Sequence, residues 1–163
     1  MKSFSHLDEK GQIQMVNVGG KAATRRIAIA EGYVEFSEET FGLLQQKALP
    51  KGDVLTTAKV AGILAAKKTQ DLIPLCHQLN LTSVDIKFDL DEVKHRLRIE
   101  AKVESEGKTG VEMEALVAVH IAMLTVYDMC KAVQKDIILG KSRLLYKEGG
   151  KSGIFQAKDC SLN

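Results

Sequence analysis

The chain has no tryptophan, and Phe and Tyr are so few that aromatic residues make up only 5% of its 163 positions. That argues against a single-strand nucleic-acid binder, which stacks bases on aromatic side chains. A strong charge of one sign is also lacking. The formal net charge is +2, too small to make the whole chain a nucleic-acid magnet, although clustered lysines leave room for local positive pockets. Cysteine is scarce: Cys76, Cys130 and Cys160 are odd in number and widely spaced. This excludes a disulfide framework and fits reduced thiols in a cytosol, so a cytoplasmic location is expected. The first residues, MKSFSHLDEKG, have no apolar stretch of the signal-peptide kind. No run of about 18 apolar residues predicts a membrane span. Repeats and low-complexity segments are absent as well.

What is present is ordinary soluble-domain material, 45% hydrophobic and 27% charged, enough for one domain over 1–163 with a real core. Residues 1–30, with a double glycine and the cluster Lys21, Arg25 and Arg26, read as a mobile basic arm. A core follows at about 31–148, and then a flexible tail over 149–163. YVEFS is a short strand. SEETFGLLQQKAL is a helix capped by Ser37 and stopped by Pro50. DVLTTAKVAGILAAKK is a second helix capped by Asp53, with Val54, Val60, Ile63 and Leu64 near helical spacing.

The clearest local pattern comes next. Val84, Ile86, Phe88 and Leu90 alternate with polar residues, and so do Leu97, Ile99, Ala101 and Val103. With DEVKH between them they predict an antiparallel hairpin, one face buried and one wet. A long helix is expected over about 110–134, with Thr109 and Glu112 at capping-box spacing, and a last short strand at SRLLYKE. This order predicts an α+β, ferredoxin-like sandwich: a split βαβ arrangement with an antiparallel sheet and helices on one face. The uncovered face predicts either solvent or a partner copy.

LIPLCHQLNL places Cys76 directly before His77. Neighbours in an extended segment point to opposite sides, and His6, His95 and His120 complete no ligand motif. A metal site and a Cys–His nucleophile pair are therefore both disfavoured. Cys76 suits a core position equally well, whereas His77 titrates where acid–base work is done. Glu114 begins a mostly apolar helix face that runs through Val117, Ile121 and Thr125 to Asp128. By spacing alone, Asp128 and Lys131 make a surface ion pair. Fourteen residues of helix put Glu114 and Asp128 about 21 Å apart. One small pocket of a single chain cannot use both, so if both act, the site combines two subunits or the ligand is long. Lys21, Arg25, Arg26, Lys51, Lys147 and Lys151 lie in or beside glycine-bearing loops, a setting that suits a polyphosphate, although each lysine alone is more often a solvated charge. GGKS is not a P-loop, because the glycine required five residues before Gly150 is Leu145.

Four blocks, LIPLCHQL, TGVEMEAL, YDMCKA and KEGGKSG, resemble in sequence and order the signatures of the cyclic pyranopterin monophosphate synthase family of molybdenum-cofactor biosynthesis. The resemblance runs from about Met15 to Gly153. It implies a lyase that converts 3′,8-cyclo-7,8-dihydro-GTP to cyclic pyranopterin monophosphate with release of pyrophosphate. It also implies a ferredoxin-like fold and a homo-hexamer, a trimer of dimers with sites at the dimer interface, working after a radical enzyme that uses S-adenosylmethionine. By the same resemblance Asp128 is the acid–base residue and Lys51 and Lys131 are essential lysines. Leu75, Cys76, His77, Met113 and Glu114 contact substrate, and Glu112, Arg26, Lys21 and Lys147 line the same pocket. The chain departs from the family pattern at Asn17 and Gly19, in MVNVGG, and at Gln78, where a proline is usual.

The sequence requires no cofactor; Mg²⁺ beside the phosphates stays open, although no carboxylate cluster demands it. Nucleic acid and membrane are not expected partners. An RNA-binding or regulatory module of the same fold is the rival reading; it would need sheet aromatics, and the hairpin offers only Phe88 on its apolar side. A catalytically dead homologue is opposed by the presence of Lys51, His77, Asp128 and Lys131 together.

Overall fold

The computed structural model describes residues 6–7 and 10–158; Cys160 and the end of the expected tail lie outside them. The elements in order are β1 (Thr24–Glu35), α1 (Glu38–Gln45), α2 (Val54–Ala66), α3 (Thr69–Leu72), β2 (Leu81–Asp91), β3 (Arg96–Gly107), α4 (Glu112–Cys130), β4 (Ile138–Glu148) and β5 (Phe155–Gln156). The sheet order is β2-β3-β1-β4-β5, with every pairing antiparallel. β1 therefore separates β3 from β4, and β3 separates β1 from β2. Two βαβ crossovers interleave, as expected for an α+β, ferredoxin-like sandwich.

The hairpin forms, and β3 buries the side its alternation predicts; on the edge strand β2 Ile86 is buried, Val84 and Phe88 are half-buried, and Leu90 is exposed. Leu97, Ile99, Ala101 and Val103 are fully buried, while Lys87 and Lys102 face water. Two caps also form as expected. Ser37 Oγ accepts from the Thr40 amide at 3.3 Å, and Asp53 Oδ1 accepts from the Thr56 amide at 3.0 Å.

Several boundaries need correction. The basic arm does not run to residue 30. β1 begins at Thr24, and Ala28 and Ala30 are fully buried at the centre of the sheet. Small, well-packed side chains carry this strand, so bulk hydrophobicity understates it. The first helix ends at Gln45, before Pro50, because Lys47 takes a left-handed φ of 54°. The long helix spans Glu112–Cys130 rather than 110–134, and its N-cap is Val111 with no side-chain cap bond. The Thr109–Glu112 capping box does not form, because Glu112 turns instead to Lys147. The last strand starts at Ile138, not Ser142. The tail is not wholly loose, since Phe155 pairs with Lys147 and Gln156 with Tyr146.

α4 is long and apolar enough, by length and composition, to cross a membrane. Here it is the central core helix, with Ala115, Ala118, Val119 and Ala122 fully buried. Gly32 lets β1 approach it: a Cβ there would lie 2.5 Å from Met123 Sδ and 2.7 Å from Val119 Cγ1. α2 packs beside it at Gly62, where a Cβ would lie 2.8 Å from the Ala118 carbonyl. The outer surface of this helix layer stays apolar. Val60, Leu64 and Leu124 are about half exposed, and Val117 and Ile121 lie half-buried beside them. The expected single apolar face of α2 is thus split, with Val54 in the core and Val60 and Leu64 outside. The opposite sheet face is polar, crossed by ion pairs such as Arg98 with Glu31 at 2.8 Å and Arg143 with Glu31 at 2.9 Å.

Candidate active site

Chemistry-bearing residues gather at the two ends of α4. At its N-terminal end, two adjoining hollows share Lys21, Thr109, Gly110 and Glu112. The first is a cleft of about 690 Å³ between the arm, the β3–α4 turn and the loop after β4. Arg26, Lys21, Lys108, Lys147 and Lys151 face it, against the carboxylates Glu112 and Glu148. Arg26 is buried, and its Nε donates to the Gly107 carbonyl at 3.3 Å. Lys147 Nζ lies 2.8 Å from Glu112 Oε1. Gly149 and Gly150 hold φ values of 106° and 72°. A side chain at Gly150 would strike the Arg26 guanidinium, so only glycine leaves that cation open to the cleft.

The second hollow, of about 500 Å³, is lined by Leu75, Cys76, His77, Met113 and Glu114. Glu114 is 4% exposed, and its Oε2 has no hydrogen-bond partner among the described residues. Burial, and then the neighbouring Glu112, push its carboxyl above the usual range. An unsatisfied buried carboxylate oxygen in a pocket wall is a ready acceptor for a ligand N–H. The Cys76 thiol is raised by burial and then by Glu114, so it is a poor nucleophile.

Cys76 and His77 both line this hollow, on irregular chain that follows a turn closed by the Cys76 amide and the Ile73 carbonyl at 3.1 Å. His77 does more than line it. Its Nε2 lies 2.6 Å from the Val16 carbonyl. A carbonyl only accepts, so Nε2 carries the proton and ties the arm down. Nothing in the sequence pattern paired residues 16 and 77. The departure at Asn17 also has a plain role: its Oδ1 accepts from the Gly19 amide at 2.8 Å, closing an Asx-type turn. Gln78 is exposed and lies in the wall of a neighbouring hollow with His77.

At the C-terminal end of α4, Lys51 Nζ lies 3.0 Å from Asp128 Oδ2 and 2.9 Å from the Asp128 carbonyl. Lys131 Nζ lies 2.7 Å from Asp128 Oδ1. The loop between α1 and α2 supplies Lys51, so the fold adds a second lysine to the pair visible as i, i+3. Lys131, then Lys51, hold the Asp128 carboxyl below the usual carboxylate range. Asp128 in turn raises the Lys131 ammonium. The group nearest Lys131 is an anion, which holds the proton on its ammonium. Both ends lie on one helix, about 21 Å apart by helical rise, so one protomer does not bring the two groups together. No cluster of three or more His, Cys, Asp or Glu suited to a metal ion occurs among the described residues.

The comparisons with known proteins converge. The profile of the MoaC family matches residues 15–150. A cyclic pyranopterin monophosphate synthase of Desulfovibrio desulfuricans is 59% identical over 157 residues, 96% of each chain. Proteins of the same name from Oleidesulfovibrio alaskensis and Pelotomaculum thermopropionicum are 60% and 54% identical, covering 94% and 97% of this chain and 97% and 93% of their own. With the profile match and identity sustained across nearly the whole of both chains, this chain belongs to the MoaC family.

Proposed function

We propose that the chain is a lyase that converts 3′,8-cyclo-7,8-dihydro-GTP to cyclic pyranopterin monophosphate and pyrophosphate, a reaction consistent with the name of its relatives, cyclic pyranopterin monophosphate synthase. The observation that carries the reading is one pair of adjoining hollows: a cationic, glycine-lined cleft beside a pocket floored by the unsatisfied Glu114 carboxylate. The cleft suits a triphosphate. The pocket suits the N–H edge of a guanine-derived ring.

In this reading Arg26, Lys21 and Lys147 hold the triphosphate and stabilise charge as it develops. Leu75, Cys76, Met113 and Glu114 bound the base, with His77 beside them and Glu112 orienting Lys147. Asp128, ionised between Lys51 and Lys131, accepts a proton, and the adjacent ammonium groups donate one, while the purine opens and recloses as a pterin. A sugar hydroxyl then attacks the α-phosphorus. The new P–O bond closes the cyclic phosphate, and the bond to pyrophosphate breaks.

The site is completed by a second copy. A two-fold axis near Ile121, halfway between Glu114 and Asp128 on α4, would lay two α4 helices antiparallel. It would set Asp128, Lys51 and Lys131 of one protomer against the hollows of the other. The apolar surface of Val60, Leu64, Leu124 and Ile121 supports such packing. A homo-hexamer built from three such dimers, a cytoplasmic location and a preceding radical S-adenosylmethionine enzyme that supplies the substrate belong to the same proposal. The lysines and Arg26 supply positive charge without a resident metal; Mg²⁺ carried in by the triphosphate is compatible with this reading. Incubation of the purified protein with the cyclised dihydro-GTP is expected to release one pyrophosphate per pterin formed. Folded protein that releases none would overturn the proposal.

A further inference from the structure

Two of the hydrogen bonds that tie the arm over the hollows come from side chains of the core, and one of these is from His77, in a signature block. The other is from Lys108, the first residue of the β3–α4 turn. Its Nζ donates to the Gly19 carbonyl at 2.6 Å. Between the anchors the arm forms a tight turn. The Gly19 amide bonds Asn17 Oδ1 at 2.8 Å, and the Lys21 amide bonds the Val18 carbonyl at 3.1 Å. This turn delivers Lys21 to the wall shared by both hollows.

We propose that Lys108 is a positioning residue: through the Gly19 carbonyl it holds the Asn17–Lys21 turn over the cleft and so places Lys21 against the substrate's phosphates. The electrostatics explain why an anchor is needed. Arg26, Lys147, Lys151 and Lys108 itself face the same cleft as Lys21, against Glu112 and Glu148, and this excess of positive charge repels the arm outward while no polyphosphate is bound. Most of the arm's side chains over 10–24 are exposed, so apolar packing gives little opposing force. A charge-assisted bond from Lys108 and one from His77 close the turn before substrate arrives, which lowers the ordering cost of binding. The kinetic part of the test rests on the activity proposed above; the exchange part does not.

Hydrogen exchange of the full-length, ligand-free protein is compared with Lys108→Met, which keeps the aliphatic stem and removes the donor. The Gly19 and Lys21 amides are expected to exchange about tenfold faster, the size of one lost charge-assisted hydrogen bond, with core amides of β1 and β3 unchanged. In turnover assays KM should rise about tenfold with kcat within about twofold. Lys108→Arg should restore most of both. The Lys21→Met, Lys108→Met double variant should be no worse than Lys21→Met, because one residue acts through the other. Unchanged arm exchange, a fall in kcat at constant KM, or losses that multiply in the double variant would each overturn the proposal. If the wild-type protein releases no pyrophosphate, the activity reading falls, and arm exchange alone decides the role of Lys108.

Discussion

The two ends of α4 carry carboxylates in opposite states. Glu114 sits at the N-terminal end, buried, with an unsatisfied oxygen and a raised pKa. Asp128 sits at the C-terminal end, exposed, held by two lysines and a lowered pKa. Helix polarity accounts for neither shift. A carboxylate near a helix N-terminus is favoured in its charged form, yet burial outweighs this at Glu114. A helix C-terminus disfavours an anion, yet Lys131 and Lys51 outweigh that at Asp128. In the proposed reaction the same side-chain chemistry is divided between two tasks: Glu114 is left for a ligand to satisfy, and Asp128 is ionised beside ammonium groups that can donate protons.

The largest effect should come from the paired end. Asp128→Asn keeps shape and removes the base. Turnover should fall about 10²–10⁴-fold, with little change in melting temperature, because the ion pairs are exposed and screened. Glu114→Gln should impair the other half of the same composite site. Mixing the two inactive variants through refolding then tests whether the ends meet across a two-fold axis. A mixed dimer has one site with both changes and one with neither, so an equal mixture should regain about one quarter of wild-type activity. Recovery near zero, with exchange of subunits demonstrated, would mean that each site draws on a single chain.

A smaller effect separates the two ends by stability. Because the folded-state pKa of Glu114 is raised, its contribution to stability is fully present below its unfolded pKa and is lost as pH rises through the folded value. Asp128 has the opposite sign. Its pKa is lowered, so its contribution is present above the unfolded value and lost as pH falls through the folded one. Glu114→Gln should therefore be more stable than wild type at pH 7, by about 1 kcal/mol from relief of the buried charge, or roughly 2–4 °C in Tm. The gain should shrink as pH falls below the raised pKa. A less active protein that melts higher marks Glu114 as a group kept for its ligand. A lower Tm at pH 7 would show that an internal contact satisfies it.

The sequence was most legible where one face of an element is wet. The hairpin alternation of Val84–Leu90 and Leu97–Val103 places both strands and their buried sides, and Ser37 and Asp53 mark helix starts by their capping chemistry. β1 was the least legible strand. It is central and bulged, and in its Thr24–Ala30 half Arg25 and Arg26 stand beside the small buried Ala28 and Ala30, so that half reads as an arm. Asp128 and Lys131 are neighbours by helical spacing, but Lys51 joins them only through the fold. The blocks around Cys76, Glu112 and Lys147 carried the family resemblance, and the fold brings those blocks to one end of α4. The tie from His77 to Val16, and the failure of Thr109 and Glu112 to cap α4, depend on contacts distant in the chain, which local pattern does not encode.

The smallest expected effect falls on the residue beside His77. Cys76 and His77 share one hollow, but only His77 has a hydrogen bond that fixes a neighbouring segment. The Cys76 thiol, raised by burial and then by Glu114, has little thiolate near neutral pH, and the His77 Nε2 is engaged with the Val16 carbonyl. A hydroxyl replaces the sulfur with minor loss of volume, so Cys76→Ser should change kcat/KM by less than about threefold. His77→Ala removes the donor to Val16 and part of the pocket wall, and should cost about tenfold or more, mostly in KM. Titrating both single variants with an alkylating reagent adds an independent readout. In wild type, substrate should slow alkylation of Cys76 by covering the hollow, and His77→Ala should weaken that protection. If Cys76→Ser abolishes turnover while His77→Ala preserves it, the thiol takes part in the chemistry, and the roles assigned to the two neighbours are reversed.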